Sequence, residues 1–97
     1  MKRHEVLQIL AGNRERLRQM AVKSLALFGS VARNEAADSS DVDLLVEFDR
    51  PVGYFHFLEV QEFLESALYP AKVDLVVRDA VFEELKEDIY GEAVHVL

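Results

Sequence analysis

The sequence has no cysteine, so neither a disulfide framework nor a thiolate metal site is open to it. The same lack fits a reducing cytoplasm, which is the location we expect. No apolar run approaches the roughly 20 residues that span a bilayer. Near the start, Lys2, Arg3, Glu5, Arg14 and Arg16 surround only a short apolar stretch, which a secretion signal would need longer and uncharged. Positive charge is scarce too: 11 Lys and Arg face 18 Asp and Glu, a formal charge of −7. Stable binding to long nucleic acids draws on Lys and Arg to displace counterions, so an acidic chain argues against it. Internal repeats and low-complexity segments are also missing.

What is present is ample apolar material, 51% of 97 residues, enough for one core in a single domain over 1–97. From His4 to Met20, Val6, Ile9, Leu10, Leu17 and Met20 fall on one helical stripe. Gly12-Asn13 interrupts it, giving one broken helix or two short ones with Asn13 capping the second. Ser24 to Phe28 reads as a short buried strand, ending at Gly29-Ser30, a tight turn that can open a helix. Asn34 to Ser40 is a polar loop.

Asp41 to Phe48 alternates: Val42, Leu44, Val46 and Phe48 on one face, Asp41, Asp43, Leu45 and Glu47 on the other. Arg50 to Gly53 breaks the strand, and Tyr54 to Leu68 reads as a helix closed by Pro70. Lys72 to Val77 is a third strand, with Val73, Leu75 and Val77 inward and Lys72, Asp74 and Val76 outward. A last helix is expected from Asp79 or Ala80 to about Tyr90, then a short apolar tail able to form a strand. The fold class that follows is α/β (α+β), a small mixed sheet of three to four strands flanked by helices.

Three features point to chemistry. Asp41 and Asp43 stand at i and i+2 on one strand, emerging on the same face about 7 Å apart. That spacing suits a pair of divalent cations about 4 Å apart, and hard oxygen ligands favour Mg²⁺ or Mn²⁺. Asp74 sits in the middle of an otherwise apolar strand, where an acid calls for a partner or a metal. If its strand neighbours that of Asp41, the three acids repel one another until cations bind. Gly29-Ser30 lets backbone N–H groups approach a phosphate, Ser30 adds a hydroxyl, and Arg33 follows one turn later.

Gly29-Ser30, ten intervening residues and Asp41-Val42-Asp43 resemble the pattern of the DNA polymerase beta-like nucleotidyltransferase superfamily. The run Leu27 to Arg33, then Ser40 to Val46, and the strand Val73 to Val76 look like its minimal nucleotidyltransferase (MNT) branch, over nearly the whole chain. One departure is Asn34, where many relatives carry glycine; asparagine tolerates a left-handed backbone well.

The resemblance implies a polymerase beta-like nucleotidyltransferase fold, two Mg²⁺ ions (Mn²⁺ as an alternative) and ATP as substrate. It implies that Asp41 and Asp43 hold both metals, that Asp74 completes the second metal site and activates the attacking hydroxyl, and that Gly29, Ser30 and Arg33 bind the phosphates. It further implies an antitoxin that transfers AMP to a tyrosine of a HEPN-domain ribonuclease toxin. Two other classes stay open: an antitoxin acting by contact alone, and an enzyme acting on a small molecule or an RNA end.

Other residues read as structural. His4, His56 and His95 share no ligand spacing, and Tyr54, Tyr69 and Tyr90 suit core or interface positions. Glu47 lies beyond the metals and is expected to face solvent or pair with a base. In the helix from Tyr54 to Leu68, the stripe Tyr54, Phe57, Leu58, Leu64 and Leu68 serves the core, while Val60, Phe63 and Ala67 widen it. That excess suits the HEPN partner, a second copy in a homo-oligomer, or a terminal segment of the same chain.

Overall fold

A computed structural model describes residues 1–33, 41–78 and 94–97. The polar loop at Asn34 to Ser40 and the helix expected from Asp79 or Ala80 to Tyr90 lie outside the described residues. Two short helices, α1 (Arg3–Gly12) and α2 (Arg14–Gln19), lead into strand β1 (Val22–Phe28). A single turn, α3 (Gly29–Ala32), follows, then β2 (Val42–Phe48), the long helix α4 (Tyr54–Ala67), β3 (Val73–Val77) and a two-residue strand, β4 (Val94–His95). The expected mixed sheet is there: four strands in the order β3-β2-β1-β4, with β1 antiparallel to β2 and β4, and β2 parallel to β3. The parallel pair is bridged by α4, as a parallel connection requires.

The alternation read in β2 settles the two faces of the sheet. Val42, Leu44 and Val46 are fully buried in one cluster with Val6 and Leu10 of α1, Leu17 of α2, and Val60, Leu64 and Leu68 from α4 and its end. Leu25, Leu27, Val73 and Leu75 join from the flanking strands. On the other face Ala26 and Leu45 form a small separate cluster with Phe28 and Val76. Leu45 thus points away from the helices yet is buried all the same.

Several local expectations are corrected. The expected strand from Ser24 begins two residues earlier, at Val22, and carries a bulge between Val22 and Ser24. Asn13 does not cap α2 with its side chain; its Nδ2 donates to the Ile9 carbonyl at 2.8 Å, closing the end of α1 instead. The side chain meets an unsatisfied C-terminal carbonyl of the preceding helix before it can serve the next one. At the other end of α1, the Glu5 carboxylate accepts from the Lys2 backbone N–H at 3.1 Å, one half of a capping box.

In α4 the core stripe is rotated from the expected one. Val60 is fully buried, whereas Tyr54, at the first turn, is 69% exposed. The reason is placement: Tyr54 stands at the very start of α4, next to the exposed Gly53, while Val60 and Leu64 lie over the sheet. Phe57 and Phe63 are half-buried and pack against the core. Tyr69 is exposed at 82%, which leaves the interface position of the two expected for it. Among the described residues no helix is long and apolar enough to cross a membrane.

Candidate active site

The acids stand where β2 and β3 begin, on the sheet face opposite the core formed with α1, α2 and α4. Asp43 and Asp74 are direct partners in the parallel register. Their backbones are therefore about 4.8 Å apart, and their side chains emerge on the same face. That register is anchored just outside the pair, where the Val42 N–H donates to the Lys72 carbonyl at 2.8 Å. Asp41 lies immediately before β2 and is exposed, as is Asp74, while Asp43 is half-buried.

On the opposite side of Asp43 the antiparallel register sets Phe28 against it, so Gly29 opens α3 beside the same carboxylate. Gly29 has φ +75°, a left-handed backbone that favours glycine. A Cβ built there would collide with Asp43 Oδ2 and lie 3.1 Å from its Cγ. Glycine is therefore demanded twice, by the backbone and by the acid packed against it. Ser30 is half-buried in the same turn. Arg3 Nη1 donates to the Ala32 carbonyl at 3.1 Å, tying α1 to the end of that turn.

The electrostatics agree with this placement. Partial burial raises the Asp43 carboxyl above the ordinary aspartate range, repulsion from Asp74 and then Asp41 raises it further, and the Arg33 guanidinium opposes the rise. All three acids and Arg33 therefore share one field, with Asp43 at its centre. Among the described residues no three acid or imidazole side chains converge tightly enough to form a ready-made cage. Like charges spread apart until a cation draws them in, and the exposure of Asp41 and Asp74 leaves their side chains room to turn. The donor set is carboxylate oxygen alone, chemistry that fits Mg²⁺ or Mn²⁺.

A cleft of 560 Å³ adjoins the acids at the β3 side, lined by Asp41, Glu65, Tyr69, Pro70, Lys72 and Asp74 among others. Sequence reasoning missed Glu65, Tyr69 and Lys72 as neighbours of the acids. The only signal was the short distance along the chain from Pro70 to Asp74, since the closing turn of α4 must deliver β3 to this corner. A larger cleft of 670 Å³ lies at the other end of β2, against Phe48, Val52, Phe57 and Val77, remote from the acids. Glu47 behaves as expected, pairing with Lys23 at 3.6 Å and Arg78 at 3.9 Å. His56 is structural: its Nε2–H donates to the Met20 carbonyl at 2.6 Å, and its ring meets Phe48 edge-on.

Residues 9–95 match the family of nucleotidyltransferase domains. The chain belongs to that family. This nucleotidyltransferase is 36% identical over 93 residues to MntA of Thermococcus cleftensis, a protein adenylyltransferase, covering 95% of this chain and 93% of the relative. It superposes on a solved minimal nucleotidyltransferase with a TM-score of 0.83 at 28% identity, over 97% of this chain and 95% of the other. It also shares its fold with a chain from the Shewanella oneidensis complex of a tri-AMPylated HEPN toxin with MNT antitoxin. There the TM-score is 0.66 at 21% identity, over 94% of this chain and 71% of the other. The nucleotidyltransferase fold expected from the sequence is thus present, and the chain is an enzyme of the nucleotidyltransferase class.

Proposed function

We propose that this nucleotidyltransferase is a metal-dependent antitoxin that moves AMP from ATP to a tyrosine hydroxyl of a HEPN-domain toxin and so silences it. The observation that carries the reading is the register that pairs Asp43 with Asp74, with Gly29 closed against Asp43 from the other side. The adenylyltransferase activity of the Thermococcus relative and the AMPylated toxin in the Shewanella complex support the same assignment.

Asp41 and Asp43 would hold two Mg²⁺ ions, with Asp74 completing the second site. Bound there, the ions supply charge stabilisation for the attacking and leaving oxygens. The chain's own residues do the rest. The backbone N–H groups and hydroxyl at Gly29-Ser30 hold the β and γ phosphates, and Arg33 neutralises part of their charge. The tyrosine oxygen forms a bond to the α phosphorus while the bond from that phosphorus to the β-bridging oxygen breaks, and pyrophosphate leaves. Asp74 takes the phenolic proton.

The test combines the protein with labelled ATP, Mg²⁺ and its HEPN partner, and compares wild type with Asp41→Asn/Asp43→Asn. Transfer of label to a toxin tyrosine, lost in the double variant together with neutralisation, is the expected result. Neutralisation that persists in the double variant, with no label on the toxin, would replace the reading by an antitoxin acting through contact alone.

A further inference from the structure

We infer that the cleft between the end of α4 and the start of β3 is the acceptor subsite, where a tyrosine side chain on a basic segment of the partner enters across Tyr69 to meet Asp74. The inference rests on the proposed adenylylation and says from which side, and by which residues, the acceptor is chosen.

The argument is one of direction. In-line displacement needs the attacking oxygen and the leaving pyrophosphate on opposite sides of the α phosphorus. In the sheet order β3-β2-β1-β4, Asp43 stands on the central strand, Gly29-Ser30 follows β1 on one side, and Asp74 stands on β3 on the other. With the phosphate tail held at Gly29-Ser30, the leaving group departs toward β1 and the acceptor must arrive over β3. The structure places a 560 Å³ cleft on that side, shared by Asp41 and Asp74 and walled by Glu65, Tyr69, Pro70 and Lys72. Its volume accommodates a phenol ring with room for its flanking backbone.

The walls say what fits. Tyr69 is 82% exposed and lines the same cleft as Asp41 and Asp74, so its ring offers an unburied aromatic face there. Such a face gains most by stacking on another ring. Asp41, Asp74 and Glu65 outnumber Lys72 around the cleft. That acidic balance, to which the exposed Glu65 contributes, favours Lys or Arg beside the incoming tyrosine.

The test measures steady-state AMP transfer to the HEPN toxin, varying toxin and ATP separately. Tyr69→Ala is expected to raise the toxin KM about five- to tenfold and to leave the ATP KM within about twofold, because the ring contacts only the acceptor. Tyr69→Phe keeps the ring and is expected to match wild type, which separates stacking from any role of the hydroxyl. Glu65→Lys, an exposed change, is expected to raise the toxin KM about threefold, an effect that shrinks at high salt. A toxin KM unmoved in both Tyr69→Ala and Glu65→Lys, or an ATP KM that moves in step with it, would overturn the assignment while leaving adenylylation itself intact. Failure of wild type to label the toxin at all would instead remove the proposed function, and this subsite with it.

Discussion

The two faces of the sheet obey opposite rules. On the helix-covered face, Val42, Leu44 and Val46 are stripped of solvent and packed against α1, α2 and α4. On the other face the same strand offers Asp43, beside Asp74 on the next strand, with the small cluster of Ala26, Leu45, Phe28 and Val76 nearby among the described residues. One face gathers groups that attract each other out of water, the other gathers groups that repel each other until something else arrives. A seven-residue strand serves both because its side chains alternate.

Substitutions should separate the faces cleanly. The largest effect belongs to Asp43→Asn, which is expected to lower AMP transfer by about a thousandfold or more, several kcal/mol of lost charge stabilisation, in a steady-state assay. Its fold should remain intact by circular dichroism. Leu44→Ala does the reverse. It opens a cavity in the main core and should cost about 2–5 kcal/mol in urea denaturation, and so more than about 10 °C in Tm. Gly29→Ala touches both faces of the problem at once. The left-handed backbone costs about 1–2 kcal/mol, and the displaced Asp43 carboxylate should take most of the transfer activity with it.

A smaller effect sharpens the comparison further. Because the Asp43 carboxyl is raised above its unfolded value of 3.8, the folded state binds its proton more tightly than the unfolded chain does. Stability is therefore greatest below that unfolded value, falls as pH rises through the window up to the raised folded value, and stays lower above it. Without divalent cations, thermal melts across this window should show that fall in the wild type and not in Asp43→Asn. At neutral pH the same variant should melt higher than wild type in chelator, and Mg²⁺ should close the gap by stabilising the wild type. An acid replacement that stabilises the protein while abolishing activity marks the acid as functional. The smallest effect is the control: Lys23→Ala removes an exposed partner of Glu47 and should change stability by less than about 0.5 kcal/mol.

Much of this was legible beforehand because strands announce their faces. The alternation of Val42, Leu44 and Val46 with Asp43, and of Val73 and Leu75 with Asp74, placed the acids away from the core without coordinates. The turn at Gly29-Ser30 was legible as a phosphate-approach element, but not as a position closed by the Asp43 side chain, since that contact joins residues brought together only by β1–β2 pairing. The pairing of Asp43 with Asp74 was equally out of reach: it depends on the parallel register, which no local pattern encodes. In α4 periodicity fixed the helix and misplaced its stripe, because hydrophobicity ranks Tyr54 with the core while only the position of the sheet decides that Val60 is beneath and Tyr54 beyond it. Asn13 stood between two helices and sequence chose the wrong one to cap.

The parallel pairing of β3 with β2 also carries a consequence for motion. Among the described residues β3 has a neighbour on one side only, and it is joined to that neighbour across a pair of like charges. An edge strand loaded in this way opens more readily than the central strands β1 and β2. Amide hydrogens of β3 should then exchange faster than those of β1 and β2 in the cation-free protein, and slow selectively when Mg²⁺ and ATP are added. The substrate complex would act as a latch, completing the sheet at the moment the enzyme is ready to receive its acceptor.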